Sequence, residues 1–421
     1  MSLIIKSVKI VWENSSFHQQ ILDVRIQDGI IEEIGKDLDH RDSEIWFSEG
    51  SCLSPGWFDL DANFGEPGYE TREDIISGSK ASAHGGFTGI ALMPNTYPPF
   101  HSRTEIDYIL KKSENIAIDL YPIGAISKNR EGKEMAELFD MFQTGALAFS
   151  DGNHPLENSG LLLRALQYTQ SFGARVFSYP EDSGLAGSAK VHEGLESLRL
   201  GMKGIPSLSE ELMIQRDLMI AEYSGSPIHF IAISSKEGVD LIRKAKQKGQ
   251  SVTCSVPAYH LVLTDSNLKA FDTHYKVRPP LRSQQDLEAL IEGILDGTID
   301  AITSRHTPQE IESKAVEFEI ALDGISSLET SFSNCIMALS GKMGLTEIIH
   351  KLTLGPRSIL GIAHPELKTG ISANFSWFHP ELEWIPEKGN LYGKSLNSPF
   401  LGMKMKGKVL GILNKNKSLQ F

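Results

Sequence analysis

From residue 54 onward, short β-branched runs alternate with helical patterns, a rhythm that restricts the chain to parallel strands joined by crossover helices. The runs are Trp57–Asp61, Gly89–Met93, Ile118–Ile126, Ala146–Ser150, Arg175–Tyr179, Ile228–Ile233, Ser251–Val256 and Ile299–Ser304, eight in all. Two of the intervening helices carry their own punctuation. Ser283 as N-cap, with Asp286 three residues on, opens a face of Leu287, Leu290, Ile291, Ile294 and Leu295 that Gly297 closes. Val239, Ile242 and Ala245 mark another helix, ending at Gly249. Eight such units in roughly 250 residues predict a closed (β/α)8 barrel, because a parallel sheet needs cover on both faces and closure removes its edges. An open doubly wound sheet is the alternative.

Outside this stretch the pattern is plain β. Leu3–Val11, Ile21–Gln27 and Gly29–Ile34 precede it, the last two joined at the turn pair Asp28-Gly29, and Asn374–Phe378, Leu391–Tyr392 and Lys408–Leu413 follow it. The two chain ends are therefore expected to form one small β-domain, from residues 1–53 and 365–421, around a barrel at 54–364. The segment 180–206 is long enough to suggest a functional cover.

With 41 Lys+Arg against 54 Asp+Glu, the net charge of −13 argues against binding nucleic acid or an anionic membrane. Hydrophobic residues at 40% and charged residues at 23% are ordinary for a globular chain with a sizeable core. Cys52, Cys254 and Cys335 are too few and too scattered for a disulfide framework or a paired-Cys zinc motif. The N-terminus lacks signal-peptide features, and no apolar run approaches the ~18–20 residues needed to span a bilayer, so a cytoplasmic protein is expected.

In a barrel the chemistry sits at the C-terminal ends of the strands. The first ends Asp59-Leu60-Asp61-Ala62-Asn63-Phe64-Gly65 and the second Met93-Pro94-Asn95-Thr96. With Gly85-Gly86-Phe87-Thr88, Gly204-Ile205-Pro206, Pro279-Pro280-Leu281-Arg282, Gly324-Ile325 before Leu328-Glu329-Thr330, and Asn397-Ser398-Pro399-Phe400 with Gly402, these motifs occur in the order found in dihydroorotases. The chain resembles that family over almost its whole length, more than it resembles dihydropyrimidinases or allantoinases.

The resemblance implies an amidohydrolase barrel with a zinc centre at its mouth. The first strand would carry Asp-x-His-x-His-x-Arg, the histidines holding metal and the arginine gripping a substrate carboxylate. Here Asp61 and Asn63 stand at the histidine positions and Gly65 at the arginine position. Asp151 matches the family's metal-bridging aspartate. Tyr179 and Ala232 stand where the fifth and sixth strands would offer ligands, Arg305 replaces the catalytic aspartate, and Arg278 replaces a substrate-contacting asparagine. Zinc needs three or more placed donors, and an arginine can neither bind metal nor act as a general base at physiological pH. No residue is therefore assigned a catalytic role, and no metal or other cofactor is expected.

The residues left at the mouth admit other readings. Asn95, Arg278, Arg305 and His306 are candidates to line a ligand pocket, with Arg278 placed to grip a carboxylate bidentately. Arg305 reads better as a buried charge standing in for metal beside Asp61 or Asp151. His306 and His229 read as hydrogen-bonded structural groups, His84 as the end of a helix, Tyr179-Pro180-Glu181-Asp182 as a retained turn, and Lys404, Lys406 and Lys408 as a solvated face. Three functions follow. The leading one is an inactive dihydroorotase homologue retained for assembly, a homodimer with aspartate transcarbamoylase as the partner the resemblance suggests. The others are an active dihydroorotase or other cyclic amidohydrolase with a rebuilt site, and a sensor for carbamoyl-aspartate or dihydroorotate.

Overall fold

The computed structural model describes residues 2–40 and 43–421, so Met1, Arg41 and Asp42 of the predicted 1–53 segment lie outside the described residues. β1 (Ser2–Ile10) pairs antiparallel with β2 (Ile21–Gln27), which turns through Asp28-Gly29 into β3 (Ile30–Gly35). β4 (Glu44–Phe47) and β5 (Cys52–Pro55) run parallel to β1.

The barrel begins with β6 (Trp57–Ala62), β7 (Phe87–Leu92), β8 (Asp119–Pro122), β9 (Ala148–Phe149) and β10 (Arg175–Ser178). A small ladder of β11 (Val191–His192) and β12 (Gly204–Ile205) organises the predicted cover segment, with short helices at Ser183–Ala186 and Leu195–Leu200. β13 (Ile228–Phe230), β14 (Val252–Pro257) and β15 (Ala301–Thr303) complete the set. β6–β7–β8 and β9–β10–β13–β14–β15 form two parallel arcs, joined by bridges Gly124 to Phe149 and Ala62 to His306. The ring is closed, a (β/α)8 barrel. All eight predicted strands are present, five of them shorter than expected. The third leaves the ladder after Gly124 because the Ala125 N–H turns away to the Phe100 carbonyl.

β16 (Asn374–Trp384), β17 (Met405–Asn414) and β18 (Lys417–Gln420) return to the first sheet, β16 pairing with β5. Both chain ends thus share one sheet, ordered β18–β17–β16–β5–β1–β2–β3. Its core holds Trp46 stacked on Trp377, with Trp12, Val24 and Phe375 beside them. Ser376 staples sheet to barrel, its hydroxyl accepting the Trp57 N–H and donating to the Gly86 carbonyl.

The expected strand Leu391–Tyr392 is absent. Its backbone instead serves carboxylates, with the N–H groups of Tyr392 and Gly393 donating to Glu329 and that of Lys394 to Glu73. No helix among the described residues is long and apolar enough to cross a membrane.

Candidate functional site

Strand ends β6 and β15 meet at the barrel mouth and bring two opposite charges together. Nη1 of Arg305 donates to Oδ2 of Asp61 at 2.7 Å, with the side chains 4% and 0% exposed. Nη2 reaches the Arg278 carbonyl at 3.2 Å, and Cζ lies 4.9 Å from the centre of the Tyr179 ring. Burial opposes the charge of Arg305, but Asp61, Tyr179 and Tyr259 together outweigh it and hold the guanidinium above its ordinary pKa. The second oxygen of Asp61, Oδ1, has no hydrogen-bond partner. Arg305 and Ala232 both sit in the left-handed backbone region, at φ 49° and 54°, a conformation that costs a β-carbon-bearing residue about 1–3 kcal/mol.

The other predicted residues divide. Asn63 donates through Nδ2 to the His306 carbonyl at 2.8 Å and accepts from Asn95 Nδ2 at 2.5 Å. Asp151 does not join Arg305. Its oxygens accept the Ser127 N–H at 2.9 Å and the Ser127 hydroxyl at 2.5 Å, while burial pushes its pKa upward. Tyr179 is buried, which raises its pKa well above the ordinary value, and its hydroxyl donates to Glu181 at 3.3 Å. His306 accepts the Ser327 N–H on Nδ1 at 3.1 Å and turns Nε2 toward Glu73 at 3.6 Å.

The reading of Arg278 as an open carboxylate clamp requires correction. Its Nε and Nη2 grip Glu181 at 2.8 and 2.6 Å, so the chain supplies the carboxylate itself. The same contact gives Glu181 a task beyond a turn, while Asp182 caps the helix Ser183–Ala186.

Among the described residues, no group of three or more His, Cys, Asp or Glu side chains is arranged to hold a metal ion. A cavity of about 220 Å³ opens at the mouth. Asn63, Asn95, Arg278 and Arg305 line it, whereas Asp61, Asp151, Tyr179, Ala232 and His306 lie outside its lining.

The family model described as Dihydro-orotase-like matches residues 50–238. The dihydroorotase of Acetivibrio thermocellus is 40% identical over 392 residues, 92% of each chain. The chain belongs to the dihydroorotase-like family. The dihydroorotase of Syntrophus aciditrophicus is 39% identical over 414 residues, 97% of each chain. In fold, the L-hydantoinase (dihydropyrimidinase) of Arthrobacter aurescens matches 99% of this chain and 96% of its own at a TM-score of 0.85 and 22% identity. The dihydropyrimidinase of Brevibacillus agri gives a TM-score of 0.83 at 19% identity, covering 100% and 95% of the two chains.

In this dihydroorotase-like barrel, several mouth residues escaped the sequence reading: Arg72, Arg130, Tyr259 and Gln309 also line the cavity. Arg130 follows Lys128-Asn129 in a short turn with no periodic signal, and only the fold carries it to Asn95. Elsewhere, buried His229 pairs with Thr253 and Ser255, and His84 bonds Glu329 at 2.7 Å. Lys406 pairs with Glu381 across β16 and β17, and Lys404, just before β17, pairs with Glu383.

Proposed function

We propose that this dihydroorotase-like protein of pyrimidine biosynthesis is catalytically silent and is retained as a cytoplasmic assembly partner, a homodimer that engages aspartate transcarbamoylase. The observation that carries the reading is the Arg305–Asp61 pair, in which a guanidinium supplies the positive charge beside the strand-end carboxylate. The residues present do not suit zinc. Asp61 is engaged by Arg305, Asp151 by Ser127, and Ala232 offers no donor atom. Tyr179, whose burial disfavours ionisation, covers the guanidinium instead of offering an oxygen anion. A general base is also wanting, since Arg305 cannot accept a proton at physiological pH.

The second reading, an active dihydroorotase or other cyclic amidohydrolase, is favoured by the names of the relatives at 37–40% identity. Elemental analysis of purified protein beside a dihydroorotate hydrolysis assay separates the two. The silent reading expects far less than one zinc per chain and no hydrolysis above background; stoichiometric zinc with turnover establishes the enzyme. The assembly is tested by light scattering and co-elution with aspartate transcarbamoylase from the same cell. Separate elution at micromolar concentration, with transcarbamoylase activity unchanged by this chain, removes the scaffold role.

A further inference from the structure

A second cavity, of about 240 Å³, lies at the opposite end of the barrel from the mouth, where the strands begin. Arg175, the first residue of β10, lines it together with Ser251 before β14, Asp300 before β15, and His350 and Lys351 of the helix Leu345–Leu352. Barrel chemistry sits at the other face, so a cation held here without a partner is no part of it.

Other charges around this cavity are paired. Nζ of Lys246 spans both oxygens of Asp300 at 2.7 and 2.8 Å, and one of them also accepts the Cys254 N–H at 2.8 Å. Arg243 holds Asp296 at 2.7 Å, and His350 meets Glu13 at 2.8 Å. Arg175 and Lys351 differ. Each is half-buried, and each donates only to a carbonyl among the described residues: Nε of Arg175 to Ile359 at 3.2 Å, and Nζ of Lys351 to Ile299 at 2.6 Å. Both Nη atoms of Arg175 and two protons of Lys351 are thus unspent among the described residues. Burial lowers the pKa of Lys351, with Asp300 opposing, as befits a cation short of a counter-ion. Two like charges facing one cavity repel each other, and an anion between them relieves both.

We propose that this cavity binds a phosphoryl group, as inorganic phosphate or as a small phosphate monoester. Arg175 offers the forked Nη edge, Lys351 its ammonium and Ser251 a hydroxyl. A phosphate dianion matches the two cations in charge and has oxygens enough for donors arriving from separate elements, whereas the Arg175 fork alone satisfies a planar carboxylate. Asp300 does not meet the anion as a bare charge, because Lys246 already neutralises it. The site does not depend on whether the barrel mouth hydrolyses an amide.

The test is calorimetric titration of the full chain with inorganic phosphate, phenyl phosphate and acetate, in chloride buffer at constant ionic strength. At least one phosphate should bind saturably, the tighter of the two naming the source, and acetate should bind about tenfold more weakly or worse. Arg175→Gln and Lys351→Gln should each weaken phosphate binding by about tenfold or more. Lys244→Gln, at an exposed lysine of the helix Lys236–Gln247, and Arg130→Gln, in the mouth, should leave it unchanged. If Arg175→Gln fails to fold, Arg175→Lys, which keeps the charge but loses the fork, should still weaken binding about tenfold. Absence of saturable binding by both phosphates, acetate binding as tightly, or binding that Arg130→Gln abolishes and the Arg175 and Lys351 variants keep would each overturn the proposal.

Discussion

With its guanidinium 2.7 Å from Asp61 and its face against Tyr179, Arg305 carries a charge that is almost wholly buried. Removing it leaves Asp61 buried with neither oxygen paired, since Oδ1 already lacks a partner. Arg305→Ala should therefore destabilise the protein by about 3–5 kcal/mol, whereas replacing both residues together, Arg305→Met with Asp61→Leu, should cost much less. Urea unfolding of the single and double variants reads this directly, and a loss under about 1 kcal/mol for Arg305→Ala would mean that the pair is solvated. That Arg305 meets a carboxylate was legible in the sequence, because strand ends of a barrel converge. Which carboxylate it meets was not: Ser127, in a turn without a sequence signature, claims both oxygens of Asp151.

Elements whose ends are written into neighbouring residues were the readable ones. The helix Gln284–Leu295 opens at Ser283, whose side chain accepts the Asp286 N–H while Asp286 accepts the Ser283 N–H, as its capping pattern predicts. Ser283→Ala should cost about 1 kcal/mol in the same urea measurement, and an unchanged midpoint would show that the cap is redundant. Segments that take their conformation from distant partners were misread. Leu391–Tyr392 has the composition of a strand, yet Glu329 and Glu73 capture the backbone N–H groups from Tyr392 to Lys394. β4 and β5 went unseen because each has only four residues and takes its ladder from distant strands, β4 from β1 and β5 from β1 and β16.

Across the whole molecule, burial sets the response to acid. It pushes the pKa of His192 down to about 4 and those of His229 and His260 to about 3, from an ordinary value of 6.5. The unfolded chain therefore binds more protons than the folded one below pH 6.5, and stability falls as the pH drops from there toward 4. Asp59 acts in the opposite sense. Its carboxyl, raised to about 6 by burial, stabilises the fold as it takes up a proton, and Asp151, Asp217 and Asp265, also raised by burial, act with it, while His154 and His364, lowered by burial, add to the three histidines. Urea midpoints should accordingly be lower at about pH 5 than at about pH 7.5, and His229→Gln should flatten the difference. A midpoint that rises on acidification would show the buried carboxyls to dominate.

The sequence by itself determined the barrel, the sheet built from both chain ends and the family, because each is carried by local alternation or by motifs in order. It also determined which side-chain chemistries stand at the strand ends. Only the tertiary structure decided how those side chains satisfy one another. Arg305 and Asp61 are 244 residues apart and Arg278 and Glu181 are 97 apart, and no periodicity links them. A buried charge takes the nearest counter-charge that the closed ring provides. That is how Arg278 came to be filled by the chain's own Glu181, while Arg130, unremarked in its turn, is held by the amides of Asn95 and Asn153 and by His154.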